Sequence, residues 1–367
     1  MRASDVLFIG FGQCGNSITA KVMEVTRKVN GLFINTNKSD LQNVGNYASQ
    51  ENTFIVPAAS GTGRNRVKAK EYLIKQRFAI LDLLQEYPNL DNIHVAFSMG
   101  GGTGSGMAPA FIKMLEKLHP DIKVNVVAVL PRRNDSQQTI YNTIACWKDI
   151  VSCSNINNIY ILDNEKRQSV TDINEEFAEL FNNFLNIPKS KYNQDSTVMD
   201  GSEISLISKA NGVSAIYKID NEYKGEVTDY VSKIMKKSIF VLNSKICQYF
   251  GIITDEDFES QELYGVFEAE LDHWLCESET SEPMLMISGT PIKAYEDLFV
   301  GLKSLYEDKT SFNSDKLLIE EENDDYIFDI LLEDRRRKKD KVDKKHKKEE
   351  VSDKEISDDD WAKLLNM

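Results

Sequence analysis

The sequence predicts an α/β protein: a parallel, Rossmann-like sheet wrapped by helices, then a long central helix, a smaller α/β region and a charged C-terminal extension. Three observations carry this. Short β-branched or aromatic runs alternate with segments of helical period from the N-terminus onward, the pattern of strands joined by crossover helices. Two glycine-rich loops, GFGQCGN (10–16) and GGGTGSG (100–106), each follow such a run and open a helical segment. An apolar-striped segment that stops at Pro188 separates this half from a second alternating region.

In chain order, strands are expected at 6–9, 32–34, 54–56, 94–97, 124–130 and 159–162. Between them, Ile18, Val22, Val25 and Val29 share one helical face, as do Met107, Phe111, Met114, Leu115 and Leu118. Such stripes are core surface. Residues 171–187 carry Ile173, Phe177, Leu180, Phe181 and Phe184 and read as the central helix, ended by the proline. The polar stretch KSKYNQDSTVMDGSE (189–203) follows, and beyond it lie strand-like GVSAIYKI and PMLMIS with helical EVTDYVSKIMKK and YEDLFVGLKSLYE. The expected organisation is therefore a first domain at 1–170, the central helix at 171–188, a second α/β domain at 189–318, a charged helix at 319–350 and a tail at 351–367.

Composition narrows the class. The 367 residues suffice for two ordinary domains, and the formal net charge of −14 argues against a surface coated with nucleic acid. Charge is segregated: residues 335–348 sum to +8, leaving −22 on the rest. The end, SDDDWAKLLNM, sets Trp361, Leu364 and Leu365 at helical spacing behind three aspartates. Five cysteines without CxxC pairs and four scattered histidines suggest a reduced, cytosolic protein with no structural metal. No apolar run reaches the length of a signal core or a membrane span.

The glycine loops suggest chemistry. Glycine destabilises regular structure, so a cluster is kept where backbone turns sharply or approaches something closely. Between a strand and a helix, backbone N–H groups and the positive helix end converge on an anion. The first loop alone fits GxGxxG and is compatible with a dinucleotide fold. Two such loops at strand ends point to one polyphosphate held from two sides. Neither loop contains GxxxxGK[ST], which excludes a P-loop NTPase.

GGGTGSG resembles the signature motif of the tubulin and FtsZ superfamily, and GQCGN is similar to the first nucleotide loop of eukaryotic tubulins. Further likenesses follow in the family's order: INTN (34–37) resembles its second loop, PAASGTGRNR (57–66) its γ-phosphate-sensing third loop, LPRRNDSQQT (130–139) its ribose-contacting fifth, and ILDNEK (161–166) the segment with the guanine-contacting Asn. The resemblance spans residues 1 to about 300 and implies a GTP/GDP site with Mg²⁺.

Carried over by position, it assigns Gly10, Gly12, Gln13, Cys14 and Asn16 of the first loop, Asn35 of the second, and Gly61, Thr62 and Gly63 of the third to the nucleotide. It assigns Gly100, Gly101, Gly102, Thr103, Gly104, Ser105 and Gly106 to the phosphates, Arg133 to the ribose, and Asn164 with Asp172 to the purine. Gln13 is the implied Mg²⁺ contact. Asp172 lies only eight positions beyond Asn164, so nearby Asn174 competes for the guanine role, and Asp172 equally suits a helix cap. The family's catalytic loop, which reaches a neighbouring subunit, is matched by MDGSE, with Asp200 and Glu203 as the catalytic carboxylates. Val198 stands where that loop has Asn.

Within the family, the short link before the central helix and the basic stretch ahead of an acidic-aromatic end are most like the TubZ proteins of plasmids and phages. The resemblance implies a GTPase that polymerises head to tail in the bacterial cytoplasm, hydrolyses GTP between subunits, and moves DNA through a centromere-bound adaptor of TubR type held by the tail. A division or phage-centring filament and a non-hydrolysing GTP-bound scaffold are the alternatives. A Rossmann oxidoreductase would need an acidic residue where Asn35 and Asn37 stand and leaves GGGTGSG unexplained.

Overall fold

The computed structural model describes residues 1–57, 61–87, 92–192, 196–219, 226–254, 265–278 and 280–310. The charged segment 319–350, the tail 351–367 and residues 58–60 of the third loop lie outside the described residues. Met1–Lys316 form one compact unit, to which every described residue belongs.

Among the described residues, ten strands make one sheet in the order β3-β2-β1-β4-β5-β6-β7-β10-β8-β9. Its first half runs β1 (Val6–Phe11), β2 (Asn30–Asn35), β3 (Thr53–Ile55), β4 (Asn92–Ser98), β5 (Val124–Leu130) and β6 (Ile156–Asp163), all parallel to their neighbours. β7 (Gly212–Lys218) pairs parallel with β6, so the sheet passes without a break into the second half. There β10 (Met284–Thr290) lies antiparallel between β7 and β8 (Ile246–Thr254), and β9 (Glu268–Glu277) closes the edge. The expected second domain is thus continuous in hydrogen bonding with the first. β8 and β9 were not among the expected strands.

Alternate residues of β1 feed two cores, because helices cover both faces of the sheet. Val6 and Phe8 pack with α1 (Gly12–Val25) and α6 (Val170–Asn186), burying Ile18, Val22, Phe177 and Phe181. Leu7, Ile9 and Phe11 pack on the other side with α4 (Thr103–Leu118) and α5 (Gln137–Val151). Helix α1 stops at Val25, so Val29 is buried beyond its end. Central helix α6 ends at Asn186, and Pro188 lies in the short 3-10 turn that follows. The remaining α-helices among the described residues are α2 (Arg66–Lys75), α3 (Arg77–Leu84), α7 (Gly201–Ser208), α8 (Val227–Lys237) and α9 (Glu296–Thr310). No helix among the described residues is long and apolar enough to cross a membrane.

Strand order places the site. From β1 the chain moves outward to β2 and β3 and then returns to the opposite side of β1 as β4. This is a topological switch point, where the loops after β1 and β4 diverge and leave a crevice at the strands' C-terminal ends. Both glycine loops lie there.

Candidate functional site

A cavity of about 470 Å³ opens at that crevice, lined by the loops after β1, β2 and β4 and by residues 61–64. The N-terminus of α4 projects Thr103 into it. The Thr103 hydroxyl lies 3.1 Å from that of Thr36 and 3.3 Å from that of Thr62, so three loops meet on one side chain. Gly12, with φ +70°, is the first residue of α1, and its left-handed backbone favours glycine. Two helix N-termini thus face one space furnished with hydroxyls and backbone amides, an arrangement suited to a polyanion.

The structure divides the sequence-assigned residues into three groups. Gly12, Gln13, Cys14, Asn35, Gly61, Thr62, Gly63, Gly101, Gly102, Thr103 and Gly104 line the cavity. Burial pushes the Cys14 thiol up to about 12, so it adds no negative charge against an anion. Asn35 shapes its loop by accepting from the Thr36 amide at 2.8 Å and donating to Asp40 at 3.3 Å.

A second group stands behind the loops. Asn16 is buried and donates to the Ile34 carbonyl at 3.3 Å. A Cβ on Gly10 would sit 2.6 Å from Asn16 Oδ1. The Ser105 hydroxyl donates back to the Gly101 carbonyl. Gly106 lets α4 close on α2, where a Cβ would strike the Arg66 carbonyl, and Gly100 does the same against Thr139. Gly104 belongs partly here: its Cβ would meet the Phe11 carbonyl at 3.0 Å and Phe97 Cβ at 3.2 Å, so a side chain there strikes the strand ends first.

The third group stands outside the cavity lining. Asn164 occupies the 3-10 turn after β6, Arg133 is exposed on the loop after β5, and Asp172 is exposed in the first turn of α6. The cap of α6 is Ser169, whose hydroxyl accepts from the Thr171 amide at 3.0 Å; Asp172 is not the cap. Asn174 is buried. Arg132, which the sequence reading passed over, ties the two loops together by donating to the Asn164 carbonyl at 3.3 Å and the Arg167 carbonyl at 3.2 Å. Arg167 in turn donates to Glu176 of α6 at 2.7 Å and to the Lys237 carbonyl of α8 at 2.9 Å.

Two more framework residues emerge only in three dimensions. Pro109 inside α4 has no N–H for the Ser105 carbonyl four residues back, and buried Arg66 donates to that carbonyl at 3.2 Å. Buried Asn142 on α5 sends its amide nitrogen to the carbonyls of Arg64 at 3.0 Å, Gly100 at 3.2 Å and Gly101 at 3.1 Å.

Asp200 and Glu203 are joined in a capping box at the start of α7. Glu203 Oε2 accepts from the Asp200 amide at 2.8 Å, and Asp200 Oδ1 accepts from the Ser202 amide. The Ser202 amide and hydroxyl both donate to Asp200 Oδ1, which favours its ionised form. Val198 and Leu206, both large and apolar, are exposed on either side of the pair.

Comparison with known proteins agrees with this geometry. Residues 5–172 match the model of the tubulin/FtsZ family GTPase domain. The tubulin-like protein TubZ of Clostridium botulinum C phage is 32% identical over 254 residues, 68% of this chain and 69% of that protein. A structure of tail-truncated TubZ from Clostridium botulinum phage c-st superposes with a TM-score of 0.75 at 27% identity, covering 85% of this chain and 99% of that one. A GTPγS-form protofilament of TubZ from Bacillus thuringiensis serovar israelensis shares the fold, with a TM-score of 0.69 at 13% identity over 84% of this chain and 93% of that one. A shared GTPase-domain match over the nucleotide half, together with a TubZ relative alike across two thirds of both chains, makes this protein a TubZ-like member of the tubulin/FtsZ family.

Proposed function

We propose that the chain is a GTP-dependent, filament-forming GTPase that segregates plasmid or phage DNA, coupling to centromere DNA through a TubR-type adaptor held by its C-terminal tail. The observation that carries the nucleotide reading is the meeting of Thr36, Thr62 and Thr103 at two helix N-termini on the switch point. Triphosphate oxygens take the amides of the first and signature loops, and the purine is read by Asn164 with Asp172 or Asn174, next to Arg133 at the ribose. Homologous TubZ in protofilament form supports self-association.

The donor set suits Mg²⁺. Gln13 and Asp40 offer hard oxygens at the cavity, a small complement that fits an ion completed by phosphates and water. Among the described residues no cluster of three or more His, Cys, Asp or Glu stands ready for a metal of its own. When bound, the ion neutralises charge on the transferring phosphates.

The two glycine loops supply dipoles and hydroxyls, and the carboxylate in the cavity lining, Asp40, is engaged by the side chains of Asn35 and Asn37. In this reading Glu203 and Asp200 of one subunit supply the carboxylate that orients an attacking water in the next, so turnover follows assembly. The capping box favours a second reading, since a Glu203 committed to the α7 cap serves a non-hydrolysing GTP-bound scaffold equally well. Sedimentation with GTP and parallel phosphate release separates them. Filaments that turn over support the main reading, and filaments without phosphate release support the scaffold. GTP is expected to compete at least tenfold better than ATP, because an unpaired purine edge costs about 1–3 kcal/mol per group; ATP within threefold of GTP refutes the purine assignment.

A further inference from the structure

We propose that Arg132 is a positioning residue for purine selectivity: it holds the turn that carries Asn164 in the place where a guanine edge is read. The inference rests on the nucleotide reading above and deepens it by naming what fixes the base-reading side chain. β5 and β6 are paired neighbours whose register ends with Leu130 opposite Asp163, so the loop after one and the turn after the other leave the sheet side by side. Side chains hold what lies beyond that last pair.

Arg132 takes three carbonyls of the turn on one guanidinium. Nε donates to Asn164 at 3.3 Å, and Nη2 donates to Arg167 at 3.2 Å and to Gln168. A planar guanidinium presents its donors in fixed directions, whereas an ammonium is a single charged point on a flexible stem. The bonding is reciprocal. Glu165, in the same turn, accepts from the Arg133 amide at 2.6 Å, so each loop sends a side chain to the other's backbone. On the far side, Arg167 grips both carboxylate oxygens of Glu176 on α6 at 2.7 Å and donates to the Lys237 carbonyl of α8 at 2.9 Å. The turn is anchored at both ends.

The Asn164 side chain is treated differently from its backbone. Its carbonyl is one of the three that Arg132 holds, while among the described residues its side-chain amide has no hydrogen-bond partner. A fixed backbone with an unengaged amide is prepared to read a ligand edge, since no protein bond has to break first. Fixing matters because a hydrogen bond weakens steeply with misalignment, and selectivity between bases is the difference between edges that pair and edges that do not. The turn itself is half-buried to exposed, so water can take the carbonyls that a lost guanidinium leaves. Removing Arg132 therefore loosens the turn more than it weakens the fold. Guanine loses aligned partners; adenine, which never matched them, loses little, and the phosphates are held by the loops after β1 and β4.

The test measures displacement of a fluorescent GDP derivative from the full chain by GTP, by ATP and by inorganic triphosphate, with the probe's own affinity determined for each variant. The variants are Arg132→Ala and Arg132→Lys; lysine keeps the charge and most of the packing, and carries the test if alanine lowers the melting temperature. Arg132→Ala is expected to weaken GTP about tenfold or more while ATP and inorganic triphosphate stay within about threefold. Arg132→Lys is expected to lower the GTP-to-ATP preference at least threefold, because the charge survives without the fork. Equal losses for all three competitors, the mark of a merely structural role, or a wild-type GTP-to-ATP preference in either variant overturns the inference and leaves the nucleotide site intact. A wild-type chain that prefers neither purine overturns the purine reading, and the inference with it.

Discussion

Glu203 has two claims on it, and two substitutions separate them. As the second half of the capping box, its carboxylate accepts from the Asp200 amide at 2.8 Å and steadies the first turn of an eight-residue helix. A cap interaction of this kind is worth about 1 kcal/mol, a factor of about five in population. That is small enough for a neighbouring subunit's nucleotide to draw the side chain away. As a carboxylate orienting water, its loss costs roughly 10²–10⁴-fold in rate, or about 3–5 kcal/mol of barrier. Glu203→Gln keeps an acceptor for the Asp200 amide and removes the charge; Glu203→Ala removes both. Urea unfolding should therefore detect a loss near 1 kcal/mol in Glu203→Ala and almost none in Glu203→Gln. Phosphate release above the assembly threshold should fall at least a hundredfold in both, leaving filaments that persist. A Glu203→Gln protein that turns over GTP within twofold of wild type refutes the catalytic role and leaves Glu203 as a cap.

Three further outcomes follow from the packing. A Cβ on Gly101 meets nothing within 4 Å, whereas one on Gly104 meets strand ends; Gly101→Val should fold normally and bind nucleotide about tenfold or more weakly, while Gly104→Val should lower the melting temperature itself. Asp149 accepts from Lys70 at 3.0 Å and pairs with Arg66, which is 2% exposed, so Asp149→Ala should destabilise by about 3–5 kcal/mol in urea unfolding. His94, stacked 4.7 Å from Phe8, is pushed down to about 3 by burial, so below pH 6.5 the unfolded chain binds a proton that the folded chain does not. Stability should fall by about 1.4 kcal/mol between pH 7.5 and 5.5, and His94→Gln should remove most of that slope; an unchanged slope would assign it to other groups.

Much of the fold was legible because its signals are local. The run Val6–Phe11 is apolar on both faces, as a strand covered by helices must be, and the stripe through Phe177 and Phe181 has the period of a helix. β9 was missed because no period-2 alternation marks it: Glu268, Glu270 and Asp272 are exposed at the same parity as buried Trp274 and Cys276, and Leu271 between them is exposed as well. Helix α7 is hidden although Asp200 and Glu203 have capping-box spacing, because its first turn falls in the polar stretch 189–203, which has the composition of an irregular loop.

The site was legible in outline and not in its division of labour, since glycine answers two different demands with the same letter. At Gly101 the missing side chain opens onto the cavity; at Gly106 it admits the carbonyl of Arg66, and no local pattern separates the two. The residues that hold the loops in register are invisible for a related reason, because their partners lie far off in sequence. Asn142 gathers the carbonyls of Arg64, Gly100 and Gly101, joining the third loop to the signature loop through one buried amide. The helix that carries it also stacks Trp147 on Phe299 of α9 at 4.3 Å. A shift of the third loop that withdraws the Arg64 carbonyl would leave part of a buried amide unsatisfied, at a cost of about 1–3 kcal/mol. The cheaper response is for α5 or the signature loop to move with it. The phosphate-facing loops and the α5–α9 face are therefore mechanically joined through a residue that touches neither the cavity nor the surface.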